Sequence, residues 1–252
     1  MPASDRRPAL RAIGGNLAAG LAFTAVAYLG FQLVARHTDP ATAHRLDTAV
    51  DRALPFWPWS VFLYSWVYTS MLYPAFVIRS ARLFRRVVAA YGVTVAVSLV
   101  LFAVFPVTSE GFRPDIAGLD VARFDEWGVR LTFFVDPPTN LFPSLHLAAA
   151  VVAAASAWAA RRLYGVLALT FVLAVGVSIL TMKQHYVADG VAALVVGLGA
   201  WWLCLRPYQR DPEPAGVRAI GPGAVLAYAV FHASVYGALY LAFRAGFAPW
   251  AG

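Results

Sequence analysis

The chain has 252 residues, of which 60% are hydrophobic and only 13% are charged, whereas charged residues make up about 25% of a typical soluble domain. Most charges lie in short clusters between apolar runs of about 20 residues, the length that a helix needs to cross a bilayer. This pattern excludes a soluble domain and also a transmembrane β-barrel, whose strands alternate over about ten residues. The net charge of +7 does not indicate nucleic-acid binding, because the basic residues fall at the ends of the apolar runs.

The apolar runs predict an all-α fold, a polytopic transmembrane helical bundle with about seven spans in a single membrane domain, residues 1–252. The first run is too long for the core of a signal peptide, so a retained span is expected. Two long polar loops, residues 36–60 and 107–141, carry amphipathic patterns of their own. The predicted spans cover, in chain order, about residues 12–34, 61–78, 87–105, 143–160, 165–182, 186–205 and 224–243.

The distribution of charge predicts the orientation of the bundle. The N-terminus and the loops after spans two, four and six hold 12 of the 20 basic residues, and the opposite face holds ten of the 13 acidic residues. The positive-inside rule then places the N-terminus in the cytoplasm and the C-terminus outside. We therefore expect the loop 107–141 and the turn at 183–185 at the extracytoplasmic surface of a plasma membrane of bacterial type.

A nine-residue stretch between spans five and six concentrates ionisable groups. Lys183, His185 and Asp189 lie here between strongly apolar segments, although an ionisable residue at membrane depth costs roughly 2.5–3.5 kcal/mol. On a helix, a spacing of four residues puts His185 and Asp189 on the same face. The carboxylate can then fix the imidazole tautomer and leave the other ring nitrogen free to attack or to accept a proton.

A second motif, Phe142-Pro143-Ser144-Leu145-His146, stands at the start of span four. Because Pro143 suits the first helical turn, free N–H groups and a positive dipole end are expected beside Ser144 and His146, which makes an anion site. Spans four and six enter from the same side, so His146 and His185 are expected in the same leaflet. A nucleophile, an acid and donors to an oxyanion are the groups that phosphoryl transfer through a phospho-enzyme requires.

The two motifs resemble the Pro-Ser-x-His and His-x-x-x-Asp motifs of the PAP2 (type 2 phosphatidic acid phosphatase) superfamily, in the same order. The variants Phe-Pro-Ser-Leu-His and Lys-Gln-His-Tyr-x-x-Asp look most like its branch related to inositolphosphotransferases and inositol phosphorylceramide synthases. The resemblance covers about residues 87–205, the expected PAP2-like catalytic core, and leaves residues 223–244 as an additional C-terminal span. It implies a phospholipid or isoprenoid-type lipid phosphate as substrate, in contact with membrane lipids, and no metal or other cofactor.

The resemblance also implies a role for each motif residue. His185 is the nucleophile that becomes phosphohistidine, and Asp189 orients it. His146 is the general acid for the leaving group and later the base for the acceptor. Ser144 and nearby backbone N–H groups hold phosphate oxygens.

Two positions depart from the superfamily pattern. Arg113 precedes a proline as expected, but Pro106 stands where the motif usually has a lysine, and Ile179 replaces the arginine before the nucleophile. Lys183 is therefore expected to bind the phosphate in their place, with Arg113 as the second choice.

Other interpretations stay open on the sequence alone. His146, His185 and Asp189 could bind zinc, since two imidazoles and a carboxylate suit that metal. Lys183 and Arg113 could be interfacial anchors instead. The enzyme could hydrolyse a lipid phosphate or, like an inositolphosphotransferase, move a phospho-headgroup between lipids. A transporter or scaffold that retains the site as a relic would belong to a different class, with no turnover.

Overall fold

The computed structural model describes residues 3–250, and the regular elements in this range are helices. Two isolated bridges, between His44 and Val107 and between Ile78 and Ala219, join loops without forming a strand. In chain order the helices are α1 Ala3–His37, α2 Ala49–Ala53, α3 Val61–Tyr64, α4 Val67–Ser70, α5 Tyr73–Val77, α6 Ala81–Val104, α7 Phe124–Val135, α8 Leu145–Ala160, α9 Arg162–Thr181, α10 Val187–Ala200, α11 Arg206–Arg210, α12 Ala215–Arg218 and α13 Gly223–Arg244.

Five helices in residues 3–250 are long and apolar enough to cross a membrane, which makes the chain an integral membrane protein. The apolar helix α8 is shorter, with 16 residues, and the region of predicted span two contains no long helix in the described chain. The structure thus supports five spans by length and composition, and the predicted total of about seven stays a prediction. The five are Pro8–His37, Ala81–Val104, Arg162–Thr181, Val187–Arg210, which includes a π-helical turn, and Gly223–Arg244.

The region of predicted span two, residues 61–78, is not one continuous helix. This region, which we call the stepped segment (residues 58–77), consists of a 3-10 turn followed by α3, α4 and α5. Pro74 has no N–H to donate to a preceding turn. The hydroxyls of Ser65 and Thr69 donate to the carbonyls of Val61 and Trp66, at 2.7 and 3.1 Å, and such bonds compete with regular helix.

Helix α13 supplies polar partners to one face of the stepped segment. The hydroxyl of Ser65 lies 2.6 Å from that of Tyr236, and Thr69 Oγ1 lies 2.8 Å from Nδ1 of His232. Polar groups cost several kcal/mol in hydrocarbon unless they are paired. The irregular backbone is therefore stabilised by packing against a long neighbouring helix.

The loops gather at two ends of the bundle. At the first, which we call the basic end, Arg79 N donates to Arg218 O at 2.9 Å and Arg218 Nη1 donates to Ala159 O at 3.0 Å. At the second, which we call the site end, Trp57 N donates to Thr181 O at 3.0 Å. The loops that were predicted to share a side of the membrane are therefore in contact with each other.

Helix α8 lies at the centre of the bundle, packed against α6, α9 and α10. Twelve of its 16 residues are buried, and most of these are alanine. Small residues let helices approach closely where lipid offers no hydrophobic driving force: a Cβ added to Gly197 on α10 would lie only 2.8 Å from Cβ of Val151. This packing fixes the N-terminus of α8, and with it His146, at the site end.

Candidate active site

The start of α8 positions Ser144 and His146. Helix α8 begins at Leu145, two residues later than the predicted start at Pro143, with Ser144 as its N-cap. Ser144 Oγ accepts a hydrogen bond from Leu147 N at 3.4 Å, and Ser144 N donates to Asp189 O at 3.1 Å. The second bond ties the start of α8 to the start of α10, so the two sequence motifs are joined through the main chain.

The turn between α9 and α10 positions His185 and Asp189. Lys183 adopts a positive φ of 55°, a conformation that reverses the chain, and Gln184 N and His185 N both donate to Ile179 O. His185 comes just before α10 rather than within it, while Asp189 lies in its first turn. Asp189 Oδ2 accepts from Tyr186 N at 2.9 Å and lies 3.2 Å from His185 Nδ1.

The two imidazoles face each other. His185 Nε2 lies 3.4 Å from His146 Nδ1, and the ring centroids are 5.7 Å apart. His185 and Asp189 are buried, with exposed fractions of 5% and 0%. Because Nδ1 of His185 is directed at the carboxylate, the nitrogen that faces His146 is the one left free for chemistry.

Three residues that the sequence interpretation did not assign to the site surround His146. Asp136 Oδ2 lies 3.8 Å from His146 Nε2. The hydroxyls of Tyr64 and Tyr68 donate to the same carboxylate oxygen at 2.9 and 2.6 Å. Tyr64 and Tyr68 are four residues apart and Asp136 precedes two prolines, but neither pattern by itself indicates a site.

Arg113 lies against the loop that carries Asp136. Its guanidinium donates to the carbonyls of Asp136 and Pro137, each at 3.0 Å, and to Oε1 of Gln184. It also lies over the ring of Phe133 at 4.7 Å. Burial lowers the pKa of Arg113, although a guanidinium remains charged in proteins. Arg113 thus connects the loop 107–141 to the turn that carries His185.

Lys183 is directed toward the loop around α2. Its ammonium donates to the carbonyls of Asp51 and Leu54, both at 2.6 Å, and lies 4.9 Å from the ring of Phe112. Burial lowers the pKa of this ammonium. A contact with phosphate would have to replace two charge-assisted hydrogen bonds, each worth about 1.5–3 kcal/mol. The role of Lys183 in phosphate binding stays a prediction.

The described residues do not gather three or more His, Cys, Asp or Glu side chains in an arrangement that could hold a metal ion. In particular, Asp189 and His146 both approach His185, but on opposite ring nitrogens. Asp189, His185 and His146 thus form a row of two hydrogen-bond contacts, and the three side chains do not converge on one point.

An apolar cavity reaches His146 from within the bundle. It lies between α1, the stepped segment, α6 and α8, with a volume of about 120 Å³. Asp136 and His146 line it together with apolar side chains such as Phe23, Ala27 and Val67. The polar site therefore opens onto a space that suits hydrocarbon.

The fold and the site define an integral membrane protein whose paired histidines lie at one end of a helical bundle. The chain belongs to the PAP2 superfamily, because the model of that family matches residues 45–203, more than half of the chain. No curated protein and no solved structure showed significant similarity to the sequence. Membership of this superfamily indicates a phosphatase-type function at the membrane, through phosphoester hydrolysis or phosphoryl transfer.

Proposed function

We propose that the protein cleaves the phosphoester bond of a lipid phosphate through a phosphohistidine on His185. The observation that carries the proposal is the pair of facing imidazoles, His185 Nε2 and His146 Nδ1, at 3.4 Å. A nucleophile and an acid that act on the two sides of one phosphorus atom need such opposed nitrogens. On substrate binding, the phosphate would take the place of this direct contact.

The reaction would proceed in two steps. First, Nε2 of His185 attacks phosphorus, the bond to the lipid oxygen breaks, and His146 gives a proton to that oxygen. Asp189 stabilises the positive charge that develops on His185, because its carboxylate lies at Nδ1. Second, His146 accepts a proton from water or an alcohol, the resulting oxygen attacks phosphorus, and the P–N bond breaks to restore His185.

The phosphate oxygens would be bound at the start of α8. The first N–H groups of a helix have no partner within it and attract anions, and the N-cap Ser144 is fully buried next to them. Arg113 and Lys183 would add positive charge. Arg113 also has a buried Nε without a partner among the described residues.

The apolar cavity beside His146 favours a lipid over a water-soluble phosphate ester. Its lining includes side chains from α1, which lies before the region matched by the family. A hydrocarbon chain that enters between α1 and the stepped segment would bring its phosphate to the two histidines. The sequence variants of both motifs favour the inositolphosphotransferase-like branch, in which the acceptor is an alcohol rather than water.

Narrowing this cavity tests the proposed substrate class. We expect Ala27→Phe to lower turnover of a lipid phosphate by about tenfold or more, because a phenyl ring would displace about four methylene groups, each worth about 0.8 kcal/mol of burial. Turnover of the small ester para-nitrophenyl phosphate should change little. The measurement is phosphate release by purified protein from a panel of lipid phosphates, with and without inositol.

Ala25→Phe is the matched control, because Ala25 is exposed on the same helix, two residues away. It should leave both activities intact. Failure of the wild-type protein to act on any lipid phosphate would contradict the proposal and favour a transporter or scaffold without enzymatic activity. Consumption of inositol with no release of free phosphate would identify transfer rather than hydrolysis.

The distribution of charge supports an active site on the extracytoplasmic side, with the N-terminus and the basic end in the cytoplasm. Cysteines introduced as Arg82→Cys and Arg162→Cys should react with a membrane-impermeant thiol reagent only after cells are permeabilised. Asp120→Cys should react in intact cells. Asp120 is exposed, and the native Cys204 is buried, which keeps the background low. Labelling of the three sites with the reverse pattern would place the active site in the other leaflet.

A further inference from the structure

Asp136 lies near the ring nitrogen of His146 that does not face His185. Its Oδ2 lies 3.8 Å from His146 Nε2, while His185 lies 3.4 Å from Nδ1 of the same ring. Asp189 lies nearer to His185, at hydrogen-bonding distance, with Oδ2 at 3.2 Å from Nδ1. Each imidazole thus has a carboxylate near its outer nitrogen, the one that does not face the other ring, at hydrogen-bonding distance for Asp189 and at ion-pair distance for Asp136. The two inner nitrogens face each other.

Two tyrosines hold the Asp136 carboxylate in place. Tyr64 and Tyr68 both donate to its Oδ2, at 2.9 and 2.6 Å. With its own proton donated to Asp136, the Tyr64 oxygen can accept a bond from the His146 ring, whose Nδ1 and Nε2 lie at 3.2 and 3.4 Å. The carboxylate therefore acts on His146 both directly, through its charge, and through the Tyr64 hydroxyl.

The main chain around Asp136 is also fixed. Asp136 N donates to Thr132 O at the end of α7, and Asp136 O accepts from Arg113 Nη1 at 3.0 Å. The side chain of Asp136 is 9% exposed. Keeping a carboxylate in such a place is costly unless it is hydrogen-bonded, and the two tyrosine hydroxyls supply those bonds beside His146.

We propose that Asp136 is a positioning residue for His146. It orients the ring so that Nδ1 faces the reacting phosphate, and it stabilises the positive charge on the ring before the proton passes to the leaving oxygen. The groups that face His146 are Asp136, Tyr64, Tyr68 and His185, and Asp136 is the one among them that brings a negative charge to the outer nitrogen. This inference rests on the proposed function and adds a second carboxylate to it.

Leaving-group dependence tests this role. Asp136→Asn removes the charge but keeps an oxygen that both tyrosines can donate to, so a purely structural role should survive the change. We expect kcat for dodecyl phosphate, whose alkoxide needs the proton, to fall by about 10–100-fold. For para-nitrophenyl phosphate, whose leaving group hardly needs it, the formation of phosphohistidine should slow by no more than about threefold. The measurements are steady-state release of dodecanol and pre-steady-state release of nitrophenol.

Asp125→Asn is the matched control, since Asp125 lies at the other end of α7 and pairs with Arg123 at 3.0 Å; both substrates should react as with wild type. If Asp136→Asn does not fold, Tyr64→Phe tests the same role. This variant should also lose more activity on dodecyl phosphate than on para-nitrophenyl phosphate, and the loss of kcat should be smaller than for Asp136→Asn. Equal losses on the two substrates, or no loss on either, would overturn the role of Asp136. Absence of turnover in the wild-type protein would instead overturn the proposed function. The wild-type measurement does not depend on any Asp136 variant, so the two failures can be told apart.

Discussion

Replacement of His185 should abolish turnover of every phosphate ester, whatever its leaving group. The imidazole is the only group that the proposed mechanism uses to form a bond to phosphorus, so its removal takes away the covalent step of that mechanism. Loss of a nucleophile of this kind lowers kcat by roughly 10⁵-fold or more. We expect this result for His185→Ala with alkyl and aryl phosphates alike. The measurement is product release, together with trapping of acid-labile phosphate on the denatured protein.

His185→Ala leaves the fully buried Asp189 carboxylate with fewer partners, so a loss of folding could mimic a loss of chemistry. His185→Gln retains an N–H donor for that carboxylate and should show the same loss with the fold intact. His37→Ala is the matched control, because His37 is exposed at the end of α1 and its Nδ1 faces Leu33 O. Phosphate trapped on the His185→Gln protein would show that another residue is the nucleophile.

Replacement of His146 should separate substrates by the basicity of their leaving groups. General acid catalysis is worth roughly 10²–10⁴-fold, and the alkoxide of a lipid requires the proton, whereas an aryl oxide hardly does. His146→Ala should therefore nearly abolish cleavage of a lipid phosphate but permit a burst of aryl alcohol from an aryl phosphate. The phosphohistidine on His185 should then persist, because no base remains to activate the acceptor.

The burst is measured by rapid mixing, and its amplitude should approach one equivalent of enzyme. Phosphate label on His185 should outlast that of the wild-type protein. Equal losses on both substrates with no trapped intermediate would contradict the assignment of His146 as acid and base. That outcome would favour a joint role of the two histidines in phosphate binding.

The general character of the fold could be predicted from the sequence. Apolar runs of bilayer length, separated by arginine clusters, indicate transmembrane helices because lipid leaves few other ways to satisfy the backbone. Five of the predicted spans correspond to long helices. The breaks in the stepped segment could not be predicted from hydropathy, because its residues are as apolar as those of a membrane-spanning helix. Its breaks arise from Pro74 and from hydroxyls that bond locally or to α13.

The two motifs could be found in the sequence because each is local. Their residues lie within about one turn of a helix start, and the turn between α9 and α10 brings His185, which precedes α10, next to Asp189. The PAP2 superfamily match agrees with the resemblance that these motifs carry. The inositolphosphotransferase-like branch, by contrast, depends on the acceptor and stays a prediction.

The sequence by itself therefore determined the class of membrane protein, the superfamily and the two motifs, since these depend on composition and on residues close together in the chain. Only the tertiary structure decided what surrounds them. Asp136 reaches His146 from ten residues away, and Tyr64 from 82, through the packing of α3 and α7 at the site end. Lys183 is directed to the carbonyls of Asp51 and Leu54 for the same reason. Contacts between different elements depend on how the helices pack against one another. A pattern of residues that are close together in the chain does not show which elements will pack together.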